Sequence, residues 1–108
     1  SKPIVLEEFG FPRDGFSFSK EAPTTARDEY YRYVFVLIRQ DRESGGLFAG
    51  CNFWAWGGFA GQNPDHVFWE KGDDYTGDPA QEQQGLNSVF ATDSTIEIIK
   101  AENRKLQN

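Results

Sequence analysis

Apolar positions first gather over residues 3–9, Pro3-Ile4-Val5-Leu6-Glu7-Glu8-Phe9, where both alternating sets, Ile4/Leu6 and Val5/Phe9, are mainly apolar. A strand apolar on both faces suits a parallel sheet covered by helices. Residues 10–23 mix Gly, Pro, Ser and Phe and read as a loop. Ala26, Tyr30, Val34, Leu37 and Ile38 then recur at helical spacing and predict a helix over about 25–43. Thr25 and Asp28 form a candidate cap at its start, and Gly45-Gly46 would stop it. The run Leu47–Trp56, LFAGCNFWAW, predicts a second strand, so strand, loop, helix and strand make a βαβ unit. Residues 57–92 show no periodicity; loops that long are usually functional or disordered. Phe59, Phe68, Trp69 and Tyr75 within it predict an ordered, functional loop. A last helix is predicted over about 95–106, with Ser94 and Glu97 as a capping box and Ile96, Ile99 and Leu106 on one face.

This order defines the α/β class, but two parallel strands and two helices cannot close a sheet. One sheet face and two edges stay open. The expectation is either self-association through those edges or the end of a larger α/β barrel. The chain begins almost directly in a strand, which favours a domain whose earlier part lies elsewhere.

Charge narrows the partners. The net charge is −6 and the isoelectric point about 4.7. Nucleic-acid binders carry basic patches, and anionic membrane surfaces attract basic ones, so neither partner is expected. No run approaches the ~18 apolar residues of a membrane-spanning helix, and no signal peptide is visible. The lone Cys51 excludes an internal disulfide framework and a Cys cluster for zinc. Aromatic residues make up 16% of the chain, enough to supply a core, a sugar- or peptide-binding platform, or both.

The candidate chemistry sits where the two strands end. One ends in Glu7-Glu8-Phe9-Gly10 and the other in Asn52-Phe53-Trp54-Ala55-Trp56-Gly57-Gly58. Active sites of α/β barrels lie at the carboxyl ends of the strands. A carboxylate beside a Trp suits sugar chemistry, because apolar sugar faces stack on indoles and carboxylates attack or protonate the anomeric centre.

At these residues the chain resembles a family. KPIVLEEFG is similar to the seventh strand of a family 5 glycoside hydrolase, a clan A (β/α)8 TIM barrel, and GCNFWAWGG to the eighth. Gly72-Asp73-Asp74-Tyr75-Thr76-Gly77-Asp78-Pro79 and Gln84-Gly85-Leu86-Asn87-Ser88-Val89-Phe90 resemble the endo-β-1,4-mannanase branch. The likeness covers nearly all of residues 2–102. It implies that residues 1–108 are one C-terminal segment of the barrel, strands seven and eight with their helices and a long following loop. Glu8 would then be the nucleophile of a retaining enzyme acting on mannan-type polysaccharide or oligosaccharide, and Trp54 would lie under the reacting sugar. The acid/base Glu, normally after an Asn on strand four, would lie outside this chain, and the isolated chain would be inactive. No metal or organic cofactor is implied, and the parent enzyme would be secreted or periplasmic.

Alternation along the strands gives a further expectation. If Glu8 faces the barrel, so do Ile4 and Leu6, while Glu7 joins Val5 and Phe9 on the helix side as a structural acid. Gly50, Asn52 and Trp54 share one face of the second strand, and Cys51 packs behind it. Asn52, Trp56 and Trp69 are further candidate substrate contacts, with Phe68 beside Trp69. Arg13 either touches a substrate hydroxyl or forms a surface ion pair. His66 reads as a surface histidine. Asp73, Asp74 and Asp78 lack the terminal ligand of an EF-hand, so calcium is not expected. Two other readings remain: a carbohydrate-binding module, which requires an antiparallel β-sandwich, and a self-associating α/β domain with purely structural acids.

Overall fold

The computed structural model describes residues 2–107. Strand β1 (Ile4–Phe9) runs parallel to β2 (Phe48–Phe53), and helix α1 (Thr25–Glu43) connects them. Strand β3 (Trp56–Gly58) pairs in parallel with β4 (Val89–Phe90) in a second, two-stranded sheet, and helix α2 (Thr95–Gln107) closes the chain. The parallel α/β arrangement excludes the antiparallel sandwich that a binding module would need.

Helix α1 holds the predicted bounds because its buried face repeats at helical spacing through Tyr31, Val34, Phe35 and Ile38. Its end is a two-bond Schellman stop. The Gly46 and Gly45 amides donate to the Asp41 and Arg42 carbonyls, and Gly45 takes φ +84°. The Asp41 carboxylate then accepts the Phe48 amide at 3.1 Å and ties the helix end to the start of β2. The helix start differs from expectation. Thr24 is the N-cap residue, and its hydroxyl bonds Asp28 rather than a backbone amide. The capping acceptor comes from the short 3-10 turn Asp14–Phe16: the Asp14 carboxylate takes the Ala26 amide at 3.0 Å, which lowers the Asp14 pKa.

The second strand is shorter than Leu47–Trp56 because the chain changes partner within it. The Trp54 amide still donates to Phe9 of β1, but the Ala55 amide donates to Asn87, and the Ala55 carbonyl accepts from Val89. The peptide between Trp54 and Ala55 is cis, and Trp56 onward belongs to the second sheet.

Helix α2 lays Ile96, Ile98, Ile99 and Leu106 against a core of Phe9, Tyr31, Val34, Phe35, Ile38 and Val89. Fully burying each such side chain contributes ~1.5–3 kcal/mol. The expected Ser94–Glu97 capping box is not what holds its start. The Ser94 and Thr95 hydroxyls both turn to Asp28 on α1, and Glu97 is exposed beside Lys100. One carboxylate therefore joins the two helix starts. Lower down, Arg39 meets the buried Glu102 at 2.8 Å.

The radius of gyration is 15.3 Å, against ~13 Å for a compact globule of this length. Ile4, Val5 and Leu47 along the sheet, and Tyr33 and Leu37 on α1, are large apolar residues left exposed. The open sheet expected from the sequence is thus present.

Candidate functional site at the strand tips

The carboxyl ends of β1 and β2 meet at the pairing of Phe9 with Phe53. Glu8 precedes that pair on one strand, and Trp54 follows it on the other. Phe9 is buried against Tyr31, with ring centroids 4.8 Å apart, so the tip of β1 is anchored to α1 while Glu8 stays exposed. Gly10 is demanded by close approach. A Cβ there would stand 2.7 Å from the Trp54 carbonyl oxygen, the same oxygen that accepts the buried Tyr31 hydroxyl at 3.3 Å. We expect Gly10→Ala to part the two tips and destabilise the protein by about 1–3 kcal/mol; a thermal midpoint within 1 °C of wild type, read by calorimetry, would count against this packing.

Strict alternation fails along β1. Three residues of β1 span the two-residue step from Cys51 to Phe53, so Leu6 and Phe9 both pack toward the helices. Leu6 does not face away with Glu8, Val5 is exposed, and Glu7 is not on the packed side: both acids are exposed. Glu7 makes no ion pair among the described residues. On β2 a second irregularity near Gly50 leaves Cys51 and Phe53 toward the core and Asn52 exposed, as expected for that strand. Burial raises the Cys51 thiol pKa.

Arg13 is not a surface residue. It is 2% exposed, and its guanidinium meets Asp93 at 2.5 Å and the Ala22 carbonyl at 2.9 Å. Neither a surface ion pair nor a contact to a substrate hydroxyl describes it, because it is buried and both terminal nitrogens bond inside the protein. Trp56 is 53% exposed, with its ring edge-on to Phe53. Trp69 is partly exposed and donates its indole N–H to the Asp73 carbonyl at 3.0 Å, which pins its loop. Phe68 beside it is exposed.

His66 has partners that its polar surroundings did not reveal. Its Nδ1 lies 2.8 Å from the Asp73 carboxylate, Asn63 bonds the same carboxylate, and Glu70 lies 3.4 Å from Nε2. The hydrogen bond to Asp73 raises the His66 pKa above 6.5 and lowers that of Asp73 below 3.8. Its share of loop stability is therefore full below pH 6.5 and lost as pH rises through the raised His66 value. At the acid end it is lost as pH falls through the lowered Asp73 value. Amide exchange over residues 63–73 should show greatest protection between these limits, and protection that keeps rising above pH 8 would contradict the pairing. Asp74 and Asp78 serve elsewhere, on the Gly61 amide and on the Gly85 amide and Ser88 hydroxyl.

Residues that the sequence reading passed over build this end of the molecule. Arg27 is fully buried and donates to the carbonyls of Phe11, Leu86 and Ser88, with Asp93 3.6 Å away. Burial first, then the Arg13 charge, lowers its pKa. The available signal was a cation at position 27, in register with buried 31, 34 and 38.

A parallel strand pair joined by a helix, with a carboxylate at one tip and indoles beside it, defines an α/β chain with a candidate site at the strand ends. Its backbone is similar to crystal structures of the glycoside hydrolase family 5 mannosidase from Rhizomucor miehei. The unmodified enzyme and a Glu-to-Ala variant in complex with mannosyl-fructose each match with a TM-score of 0.84 and 37% identity. A second Glu-to-Ala variant matches at 36% identity. In each case the match covers 98% of this chain and 27% of the other, so the chain spans about a quarter of that enzyme's length. No curated protein matches the chain. The family model described as GH family 5 beta-mannosidase-like matches residues 1–108, and the chain belongs to that family.

Proposed function

We propose that this chain is the C-terminal part of the (β/α)8 barrel of a retaining glycoside hydrolase acting on β-1,4-linked mannosides, with β1 and β2 as strands seven and eight. The observation that carries the reading is the placement of Glu8 and Trp54 on either side of the Phe9–Phe53 pair, at the carboxyl ends of two adjacent parallel strands. In the complete enzyme Glu8 attacks the anomeric carbon and forms a glycosyl-enzyme, while a Glu outside this chain protonates the leaving oxygen and then activates water. The two carboxyls of a retaining pair stand ~5–5.5 Å apart across the bond. Trp54 carries the apolar face of the reacting sugar; Asn52, Trp56 and Trp69 are proposed as further contacts. The exposed Ile4, Val5 and Leu47 are the surface on which the rest of the barrel packs.

The 108-residue chain supplies half of the carboxylate pair, so it is expected to release no reducing sugar from mannan or an aryl β-mannoside. Turnover by the isolated chain that Glu8→Gln abolishes would refute this. The complete enzyme is expected to favour β-mannosides over β-glucosides by roughly tenfold or more. Equal or faster hydrolysis of cellulose would overturn the mannoside assignment. The ratio of chain-length reduction to free mannose release separates internal cleavage of mannan from cleavage at chain ends.

A further inference from the structure

The loops that follow β1 and β3 line a pocket of about 530 Å³, walled in part by Phe18, Glu21, Pro64, His66, Val67 and Asp74. That volume falls within the roughly 300–1,000 Å³ of small-molecule sites. Glu8, Asn52, Trp54 and Trp56 are not among its walls.

The cavity is braced from within. The Gln62 side chain accepts the Lys20 amide and donates to the carbonyls of Phe18 and Gln84, so one amide clamps both loops. Gly85, at φ +99°, leaves room for this clamp; a Cβ there would stand 2.6 Å from the Phe18 oxygen. The His66–Asp73 pair, with Asn63, braces the opposite wall. A site held this way loses little freedom when a ligand enters.

What remains to meet a ligand is specific in kind. Phe18 and Val67 are 37% and 45% exposed. Glu21 and Asp74 have no ion pair among the described residues. The Lys20 ammonium is turned onto the Ala60 carbonyl and the Phe90 ring, and His66 is matched by Asp73. Apolar surface beside two unpaired carboxylates, with the one lysine of the lining turned onto Ala60 and Phe90, suits an uncharged ring that is apolar on one face and donates O–H groups at its edge. It repels an anionic sugar.

We propose that this cavity is a second saccharide site, taking a neutral hexosyl unit with its C–H face on Phe18 and its hydroxyls toward Asp74 and Glu21. The choice of a mannosyl unit rests on the β-mannoside reading of the strand tips; the neutral-ring chemistry does not.

The test is a heteronuclear NMR titration of the 108-residue chain with β-1,4-mannotriose, and separately with trigalacturonate. Mannotriose is expected to shift amides of residues 17–21 and 62–74 with Kd about 1–10 mM, and Phe18→Ala and Asp74→Asn each to weaken this about fivefold. Shifts confined to residues 8–10 and 52–57 would overturn the second site and leave the β-mannoside reading standing. A well-dispersed spectrum that does not move would also overturn it, as would equal binding of the acidic trimer. In the complete enzyme, the same substitutions are expected to raise KM for a long mannooligosaccharide about fivefold with kcat retained. An equal fall in kcat would mark a structural role instead and overturn the site.

Discussion

In the complete enzyme Glu8→Ala is expected to lower kcat/KM for a β-mannoside by roughly 10⁴-fold or more, because it removes the group proposed to form the covalent intermediate. The residue is exposed at the tip of β1, so truncating it leaves no cavity in the core and should cost little stability. A folded but inactive variant is therefore the expected outcome, established by circular dichroism beside steady-state kinetics. The stereochemistry of rescue identifies the role. Azide entering the space vacated by the carboxylate would attack the anomeric carbon directly and give α-mannosyl azide, with the leaving group departing from the opposite face. A β-configured azide product would assign Glu8 to acid/base work instead. Glu7→Gln is the paired control. Glu7 neighbours Glu8 in sequence and is also exposed, yet its substitution is expected to keep activity within a few-fold, since the proposal assigns the nucleophile to Glu8 alone. A collapse of activity in Glu7→Gln with Glu8→Gln unharmed would reverse the assignment.

The largest expected effect on folding belongs to Arg27. Replacing it with Met keeps the stem but removes the Arg27 donors to the carbonyls of Phe11, Leu86 and Ser88, and takes this donor from the part-buried Phe11 and Leu86 carbonyls. Arg13 still reaches Ser88, at 3.4 Å, and Asp93, so the carboxylate keeps one cation. Each carbonyl left without its donor costs about 1–3 kcal/mol. Domains hold ~5–15 kcal/mol in total, so the variant should lose a large share of its urea resistance. Arg27→Lys is expected to rescue only partly, because an ammonium cannot span three carbonyls arranged for a planar fork. Unfolding midpoints within experimental error of wild type for Arg27→Met would show that the three loop segments are held by other contacts.

The two residues mark different kinds of legibility. Glu8 stands out as a candidate because it sits in a local pattern, an apolar strand interrupted by acid and followed by Phe9 and Gly10. The same holds for α1, whose buried face repeats within a few residues and whose stop is written in Gly45-Gly46. Arg27 could not be read as a clamp. Its three acceptors lie 16, 59 and 61 positions away in the chain, and no local periodicity encodes such distances. The caps failed for the same reason. Asp14 reaches Ala26 across a loop, and Ser94 turns to Asp28 on another helix, so the nearest capping residue was not the one used.

By itself, then, the sequence determined the α/β class, the helix spans, the two strands that begin the unit and the motif at their tips, because each depends on neighbours within a turn or a pleat. Tertiary structure decided where β2 ends, because Ala55 exchanges β1 for the distant Asn87 and Val89 as its hydrogen-bond partners. It also decided which side of β1 is packed, because one extra residue between Leu6 and Phe9 cancels the alternation on which any reading from sequence depends. And it ordered the segment from 57 to 92 through Gln62, Asp78, Gln84 and Ser88, polar side chains bonded to backbone across loops. Polar contacts of that kind leave no hydrophobic period to find, since their partners are set by the folded path of the chain rather than by spacing along it.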